Sequence, residues 1–415
     1  MSRPSVVSLF TGAGGLDYGF EAAGFETRVC VEMDKDCCET LRANTRWAVI
    51  EGDIHQVSSK DLLEAANLGK GDVDLVLGGP PCQPFSKASY WVNGNTKRME
   101  DPRAKTLEAY MRIVEDLQPQ AFVLENVHGI NYTGKEEGFI FLEKATRKIN
   151  ERTGCKYKIN WKVLNAADYG VPQLRKRFFM VADRDGKNFS FPRITHHEYA
   201  HETQTQLDED CGDRITAWDA IGYLKEDTGE DLRVKGSWGD LLPSIPEGEN
   251  YLWHTNRKGG LPLFGWRTRY WSFLLKLAKN KPAWTIQAQP GPSIGPFHWS
   301  NRMLSWKELA AIQTFPNRVK FNGSRQSVHR QIGNAVPSLL GEVVGRAVLR
   351  QLFDVRTSEE CLLMVERRRP IPPPEEVAPV PEKYLHLIGD HPDHPGTGKG
   401  PMAFSQTSSG DYLAS

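Results

Sequence analysis

The chain has 415 residues, enough for one large α/β domain and a smaller domain, each with its own core. Its 52 Lys and Arg residues balance its 52 Asp and Glu residues, so the overall charge predicts neither a nucleic-acid nor a membrane partner. The seven cysteines have neither zinc-site spacing nor a disulfide framework, and no apolar stretch is long enough to cross a membrane. We therefore expect a soluble protein of a reducing cytoplasm.

The first 183 residues alternate short β-branched runs with longer helical patterns. The runs predict strands at residues 6–10, 27–32, 48–50, 73–77, 121–125, 157–163 and 178–182. The helical patterns between them are LDYGFEAAGF, DCCETLRANT, KTLEAYMRIVEDL and IFLEKATRKINER. This alternation indicates a doubly wound, mostly parallel α/β sheet.

The later part of the chain has a different character. From residue 185 to 300 the pattern gives way to Gly, Pro, Trp and charge, which predicts a smaller irregular domain. Helical patterns return at 305–315 and 338–353, so we expect residues 301–365 to rejoin the first part, 1–184. The Pro-rich segment PIPPPEEVAPVP and the Gly/Ser/His-rich end predict a disordered tail over 366–415.

Three turns that follow successive predicted strands carry residues suited to a nucleoside. In LFTGAGGLDYGF, Gly12, Gly14 and Gly15 let the backbone approach a ligand at a helix N-terminus. Glu32 ends the next strand and can hold a ribose diol, while Asp53 follows the third strand and can accept from an adenine amino group. Each feature alone is equally consistent with a structural turn or cap. Because open α/β sheets bind ligands at the carboxyl ends of their strands, the three together favour an adenosyl cofactor.

Further reactive side chains follow other predicted strands. GGPPCQPFS fixes Cys82 between two prolines, which leaves the turn little freedom, although a lone cysteine is more often structural. Glu125 ends an apolar strand, where it can have a raised pKa and give a proton to a ring nitrogen, or cap the next turn. Because side chains alternate between the two faces of a strand, Arg175 and Arg177 are expected on one face. Together they could bind an anion or a carbonyl oxygen, or they could form a solvated strand end.

Seven short motifs occur together in this chain: SLFTGAGGLDYGF, VEMD, GDI, GGPPCQPFS, ENV, QLRKRFF and QIGNAVP. In this order and spacing, the chain resembles the bacterial modification type of DNA (cytosine-5)-methyltransferases over residues 5 to 352. The resemblance implies the Rossmann-like fold of S-adenosylmethionine-dependent methyltransferases, with a target-recognition domain over 185–300. It also implies site-specific methylation of double-stranded DNA by a monomer, with a cognate restriction endonuclease acting separately.

The resemblance implies a role for each candidate residue. Cys82 matches the nucleophile whose thiolate adds to C6 of a flipped cytosine. Glu125 matches the acid that contacts N3 and the exocyclic amine, and Arg175 and Arg177 match the basic pair beside the base. The residues implied for binding S-adenosyl-L-methionine, whose product is S-adenosyl-L-homocysteine, are Phe10, Gly12, Ala13, Gly14, Gly15, Glu32, Met33, Asp53, Ile54, Pro81, Leu107 and Asn334.

Local charge predicts where DNA binds. Residues 250–281 hold seven Lys or Arg, several aromatics and no acid, and residues 318–334 add four basic residues. These stretches favour phosphate contacts, although solvated faces and a small aromatic core remain alternatives.

Three other functions are weighed against this one. A tRNA cytosine-5 methyltransferase shares the motifs but typically has a shorter variable region. A non-catalytic DNA-binding paralogue would be expected to lose Cys82 or the cofactor glycines, which are present. A nicotinamide oxidoreductase would need a glycine where this chain has Asp17.

Overall fold

The fold is described here from a computed structural model of the protein. It covers residues 3–81, 105–127, 137–198, 211–224, 229–265, 267, 270–358 and 360–389. The predicted nucleophile, Cys82, lies outside these ranges.

Seven strands form the main sheet, in the order β3-β2-β1-β4-β5-β8-β6. They are β1 (Ser5–Leu9), β2 (Glu26–Glu32), β3 (Ala48–Glu51), β4 (Leu75–Gly78), β5 (Ala121–Val127), β6 (Lys158–Asn165) and β8 (Lys176–Asp183). Neighbouring strands are parallel, except that β8 runs antiparallel to both β5 and β6. The predicted doubly wound, mostly parallel sheet is confirmed. Its strand order reverses direction between β1 and β4, which is where such sheets bind their ligands.

Short strand pairs lie outside this sheet. β7 (Gln173–Leu174) pairs with β11 (Ala283–Trp284), and β9 (His196–His197) pairs with β10 (Gly212–Asp213). The β7–β11 pair brings the segment after residue 280 beside the start of β8.

The helices of the described ranges include every one that the sequence predicts. They are α1 (Gly15–Ala23), α2 (Lys35–Asn44), α3 (Ser59–Ala66), α4 (Lys105–Leu117), α5 (Glu137–Thr153), α6 (Ala217–Ile221), α7 (Trp306–Ile312), α8 (Arg325–Asn334) and α9 (Ser338–Leu352). Side chains fix several N-termini: Asp34 accepts from Cys37 N at α2, and Ser58 accepts from Asp61 N at α3. Within the ranges that the structure covers, every helix is too short or too polar to cross a bilayer.

The sheet separates two apolar layers. Alternate residues of β1 point to opposite faces, so Val7 and Leu9 join the layer of α3, α4 and α5, while Val6 joins the layer of α1 and α9. Helices α1 and α9 pack so closely that a Cβ atom at Gly19 would overlap the carbonyl oxygen of Ser338. The chain after residue 301 therefore returns to the sheet.

A smaller apolar cluster lies away from the sheet. Its buried members are Leu241, Leu242, Ile245, Tyr251, Leu263, Phe264, Leu274, Phe297 and Tyr384. Among the described residues around it, the regular structure consists of short 3-10 helices at Gly239–Ser244, Tyr251–His254 and Glu382–Leu387 and of isolated β-bridges such as Phe273 with Ile294. We call the irregular part of the chain around this cluster the second body of the molecule.

The expectation of a disordered tail from residue 366 is wrong for residues 366–389. Tyr384 is only 5% exposed and belongs to the small apolar cluster. Lys279 and Asp219 also form ion pairs with Glu375 and Arg369 of this segment. The contacts of this buried aromatic ring and of these charged side chains order the segment despite its Pro-rich composition. Residues 390–415 lie outside the described ranges, and the predicted domain limits stay predictions.

Candidate active site

The turn between β1 and α1 has an unusual backbone. Phe10, Gly12 and Gly14 all have positive φ angles, of 56°, 57° and 82°. Glycine takes this conformation at little cost, whereas Phe10 is held in it by its surroundings. A Cβ atom at Gly12 would meet no atom within 4 Å, so the turn borders open space. The predicted glycine-rich turn thus exposes backbone at the strand-order reversal, while Ala13 is buried beneath it.

Glu32 ties this turn to the end of β2. Its Oε2 accepts from Gly12 N at 2.7 Å, and its Oε1 accepts from Met33 N and Asp34 N at 2.9 Å each. Burial raises the pKa of Glu32 more than these backbone N–H groups lower it. Each carboxylate oxygen has two lone pairs, so Oε1 is fully used by its two donors and Oε2 can still accept from a ribose hydroxyl. The open space at Gly12 and this carboxylate together fit an adenosyl ligand.

The other predicted cofactor residues border the same sheet edge in different ways. Met33 is 73% exposed, so its side chain is available to pack on a ring. Asp53 is exposed, and its Oδ1 already accepts from His55 N at 3.0 Å. Ile54 and Leu107 are instead buried in the layer of α3 and α4, which indicates that their side chains support the core.

Residues far apart in sequence meet at the glycine-rich turn. A Cβ atom at Gly15 would lie 2.6 Å from the carbonyl oxygen of Val336 and 2.8 Å from Ala335 Cβ. Gly15 is therefore needed for the QIGNAVP segment to approach α1. Asn334, the last residue of α8, is exposed next to this contact. The structure brings the C-terminal motif to the turn at residues 10–15, although about 320 residues separate them in sequence.

An ion pair lies at the carboxyl edge of the sheet beyond β4. Arg177 Nε and Glu125 Oε1 are 2.8 Å apart, and both side chains are nearly buried, at 12% and 10% exposure. Burial raises the pKa of Glu125, and the positive charges of Arg177 and Arg175 oppose that rise only in part. The antiparallel pairing of β5 with β8 places this acid and this base on neighbouring strands.

The segment that leads to Cys82 lies directly against this ion pair. A Cβ atom at Gly79 would be only 2.9 Å from Glu125 Oε2, so glycine is needed for the carboxylate to occupy its position. Asn126 is buried and donates from Nδ2 to the carbonyl oxygen of Pro80 at 3.1 Å. Pro81, the last residue before Cys82, is exposed. The role of Gly79 is not predicted from the sequence, although the second glycine of GGPP is a signal for it.

Arg175 differs from Arg177 in its contacts. It is 2% exposed, and it donates to the carbonyl oxygens of Gly333 at 2.6 Å and Ile286 at 3.0 Å. Its Nε atom is buried and has no hydrogen-bond partner among the residues that the structure describes. Arg175 therefore holds the QIGNAVP segment and the chain near β11 against the start of β8. Only Arg177 bonds directly to Glu125.

Asp17 is a second buried acid, and in the sequence it stands out only as a departure from a glycine pattern. It is 1% exposed, and within the described part of the chain its Oδ1 has no hydrogen-bond partner. Burial raises its pKa to about 7, despite a hydrogen bond with Ser8. It lies in the first turn of α1, beneath the glycine-rich turn.

The two basic stretches are only partly available to a polyanion. Lys276 and Lys279 are buried, at 3% and 4% exposure, and Lys279 pairs with Glu247 at 3.0 Å. Arg330 pairs with Asp34 at 2.7 Å. Part of the first stretch, residues 250–281, contributes to a small aromatic core instead of a DNA-binding surface, since Tyr251 and Phe264 are buried there.

The sheet order, the glycine-rich turn and the edge carboxylates define an α/β enzyme of the S-adenosylmethionine-dependent methyltransferase class. The sequence profile of the C-5 cytosine-specific DNA methylase family matches residues 5–350. The chain belongs to this family and is a DNA (cytosine-5)-methyltransferase.

Individual relatives agree with this assignment. The chain is 41% identical over 370 residues to the type II methyltransferase M.SacI of Streptomyces achromogenes, across 84% of this chain and 93% of that protein. It is 34% identical to the type II methyltransferase M1.HphI of Haemophilus parahaemolyticus, across 83% of this chain and 86% of that protein. The solved structure of the Entamoeba histolytica methyltransferase EhMeth matches with a TM-score of 0.57 at 16% identity, across 85% of this chain and 99% of that chain. This last likeness concerns the fold alone.

Proposed function

We propose that the protein methylates C5 of a cytosine flipped out of double-stranded DNA, with Cys82 as the nucleophile. Cytosine C5 is too weak a nucleophile to accept a methyl group unaided. Addition of the Cys82 thiolate to C6 forms a C–S bond and moves electron density to C5, which becomes an enamine carbon. When bound, S-adenosylmethionine supplies the methyl group for this carbon. Loss of the C5 proton then expels the thiolate and restores the aromatic ring.

Glu125 and Arg177 support the addition step. A carboxyl group whose pKa is raised by burial keeps its proton to a higher pH and can share it with N3 as the thiolate adds. Arg177 Nε holds Glu125 Oε1 at 2.8 Å, which leaves Oε2 to face the segment at Gly79. This buried pair, next to the residues that lead into Cys82, is the observation that carries the proposal.

The cofactor would be held by the turn at 10–15 and by the adjoining strand ends. Glu32 would accept from the ribose hydroxyls, with Met33 and Phe10 against the adenine and Asp53 at its amino group. Gly12 and Asn334 would face the methionine part. These roles rest on the open space at Gly12 and on the contact between Gly15 and the segment after Asn334.

Sequence readout would lie within residues 185–300, on the face beside β11. Tyr270 has a φ of 63° and is 76% exposed, and Trp271 is 48% exposed. Buried Asn250 fixes this turn by donating to the Trp271 carbonyl oxygen at 2.7 Å. Trp271 also contacts Trp284 of β11 with ring centroids 5.0 Å apart, which supports a position near the catalytic edge. A strained backbone that exposes two aromatic rings is suited to contact DNA.

The proposal is tested by methylation of matched DNA and RNA duplexes with labelled S-adenosylmethionine. We expect label in 5-methylcytosine of the DNA only, by a monomer that needs no endonuclease subunit. Cys82→Ser is the matched control, in which label should be lost while cofactor binding persists. Label in RNA alone would favour the tRNA alternative, and DNA binding without label would favour a non-catalytic role.

A further inference from the structure

The chain continues beyond α9 as an extended segment that runs to the second body of the molecule. We call residues 360–389 the C-terminal strap. The family match ends at residue 350, so the strap is additional to the shared fold. Three polar anchors and the buried ring of Tyr384 hold it along its length.

The first anchor is on the sheet side, at Glu342 of α9. This side chain is fully buried and pairs with Arg346 at 2.7 Å. It also accepts from the backbone N–H groups of Leu362 at 2.6 Å and Leu363 at 2.8 Å. This buried carboxylate thus accepts four hydrogen bonds, two from Arg346 and two from the strap, and so fixes the start of the strap on α9.

The second anchor is Asp219 of α6, which is also fully buried. It accepts from Arg368 N at 2.7 Å and pairs with Arg369 at 3.0 Å. The Arg368 guanidinium lies over the Tyr223 ring at 3.8 Å from its centroid. The strap is thus fixed a second time before it reaches the small apolar cluster.

The third anchor lies within the second body. Lys279, which is 4% exposed, donates to the carbonyl oxygen of Pro373 at 2.8 Å and to Glu375 at 2.7 Å. The same ammonium group pairs with Glu247, whose Oε1 accepts from Glu375 N at 2.9 Å. This buried charge therefore depends on the strap for two of its contacts.

Tyr384 completes the small apolar cluster. Its ring stacks on Trp238 at 5.6 Å between centroids and 12° between planes, and its hydroxyl donates to the Ser237 carbonyl oxygen at 2.6 Å. The cluster has little regular secondary structure to stabilise it, so its cohesion depends on apolar packing. The Tyr384 ring therefore supplies a large share of the apolar surface that is buried in this small core.

We propose that the strap is a positioning element for DNA recognition. Tyr384 completes the core of the body that carries the Tyr270–Trp271 turn, and Glu342 and Asp219 tie that body to the sheet. The strap thereby holds the recognition surface at a fixed place relative to the Glu125–Arg177 edge. This inference rests on the proposed role of residues 185–300 in DNA readout.

The test is Tyr384→Ala in the full-length chain, with plasmid DNA that carries sites mapped for the wild-type enzyme. We expect KM for DNA to rise by about tenfold or more, because the recognition surface loses its fixed position. The Kd for S-adenosylmethionine and kcat at saturating DNA should stay within about twofold of wild type. Leu385→Ala, at a neighbouring residue that is 40% exposed, is the matched control and should leave all three values unchanged.

Two further variants separate positioning from general stability. Tyr384→Phe keeps the stacked ring and should restore KM for DNA almost to the wild-type value. Glu375→Gln keeps the fold but weakens the contact with Lys279, and it should raise KM for DNA with kcat unchanged, even if Tyr384→Ala does not fold. A wild-type KM for DNA in Glu375→Gln and in folded Tyr384→Ala would overturn the inference. Failure of the wild-type enzyme itself to methylate DNA would instead contradict the proposed function.

Discussion

Gly79→Ala is a small change that tests the position of the catalytic carboxylate. The new Cβ atom would lie 2.9 Å from Glu125 Oε2, whereas ordinary contacts begin at 3.4 Å, so the carboxylate must move by about half an ångström. That movement strains the 2.8 Å contact between Glu125 and Arg177. Because a displacement of about 1 Å can cost 10²-fold in rate, we expect kcat to fall by about 10- to 100-fold. Cofactor affinity should be unaffected, since Gly79 is not assigned to the adenosyl site.

The assay is a single-turnover methylation measurement in a double-mutant cycle with Glu125→Gln. If the clash acts through Glu125, Gly79→Ala should cost little further rate once the acid is removed. Isothermal titration with S-adenosylmethionine serves as the control for folding. Full activity of Gly79→Ala, or costs that add independently in the cycle, would refute the position given to Glu125.

Substitutions at Arg177, Asp17 and Gly19 should each change the stability of the protein. Arg177→Met should lower the free energy of unfolding by about 1–3 kcal/mol in denaturant titration, because the buried Glu125 carboxyl loses its hydrogen-bonded partner and must take up a proton; a loss near zero would contradict the ion pair. Asp17 has a folded pKa of about 7 against an ordinary value of 3.8, so its folded state binds the proton more tightly and stability falls as pH rises between these values. Relative to Asp17→Asn, wild-type stability should therefore fall by up to about 1.4 kcal/mol per pH unit over that window, and parallel profiles would exclude this titration. Gly19→Ala should destabilise the protein by about 1–3 kcal/mol in thermal unfolding, because its Cβ atom meets the carbonyl oxygen of Ser338; an unchanged Tm would contradict the close packing of α1 on α9.

The main sheet could be predicted because its signals are local. Buried parallel strands appear as short β-branched runs, and their order places the ends of β1, β2 and β5 at one edge. The strand pattern indicates both acids, since Glu32 is the last residue of β2 and Glu125 lies two residues before the end of β5. The partner of Glu125 is Arg177, and strand alternation alone could not distinguish it from Arg175.

Other features depend on contacts between distant residues. Arg175 is buried because the carbonyl oxygens of Ile286 and Gly333 reach it, and no spacing within QLRKRFF indicates this. For residues 366–389 of the strap, the composition predicts disorder because proline and charge dominate it. Its order comes from Tyr384 and from the buried partners Glu342 and Asp219, which lie in other parts of the chain.

The central claim, that Cys82 adds to C6 of a DNA cytosine, is tested most directly by covalent trapping. Fluorine at C5 cannot leave as a proton does, so DNA with 5-fluorocytosine at a mapped site should hold the enzyme after methyl transfer. We expect an adduct that requires S-adenosylmethionine, survives denaturing electrophoresis, maps to Cys82 by peptide mass spectrometry and is absent in Cys82→Ser. An adduct at another cysteine, or full methylation activity in Cys82→Ser, would contradict the account.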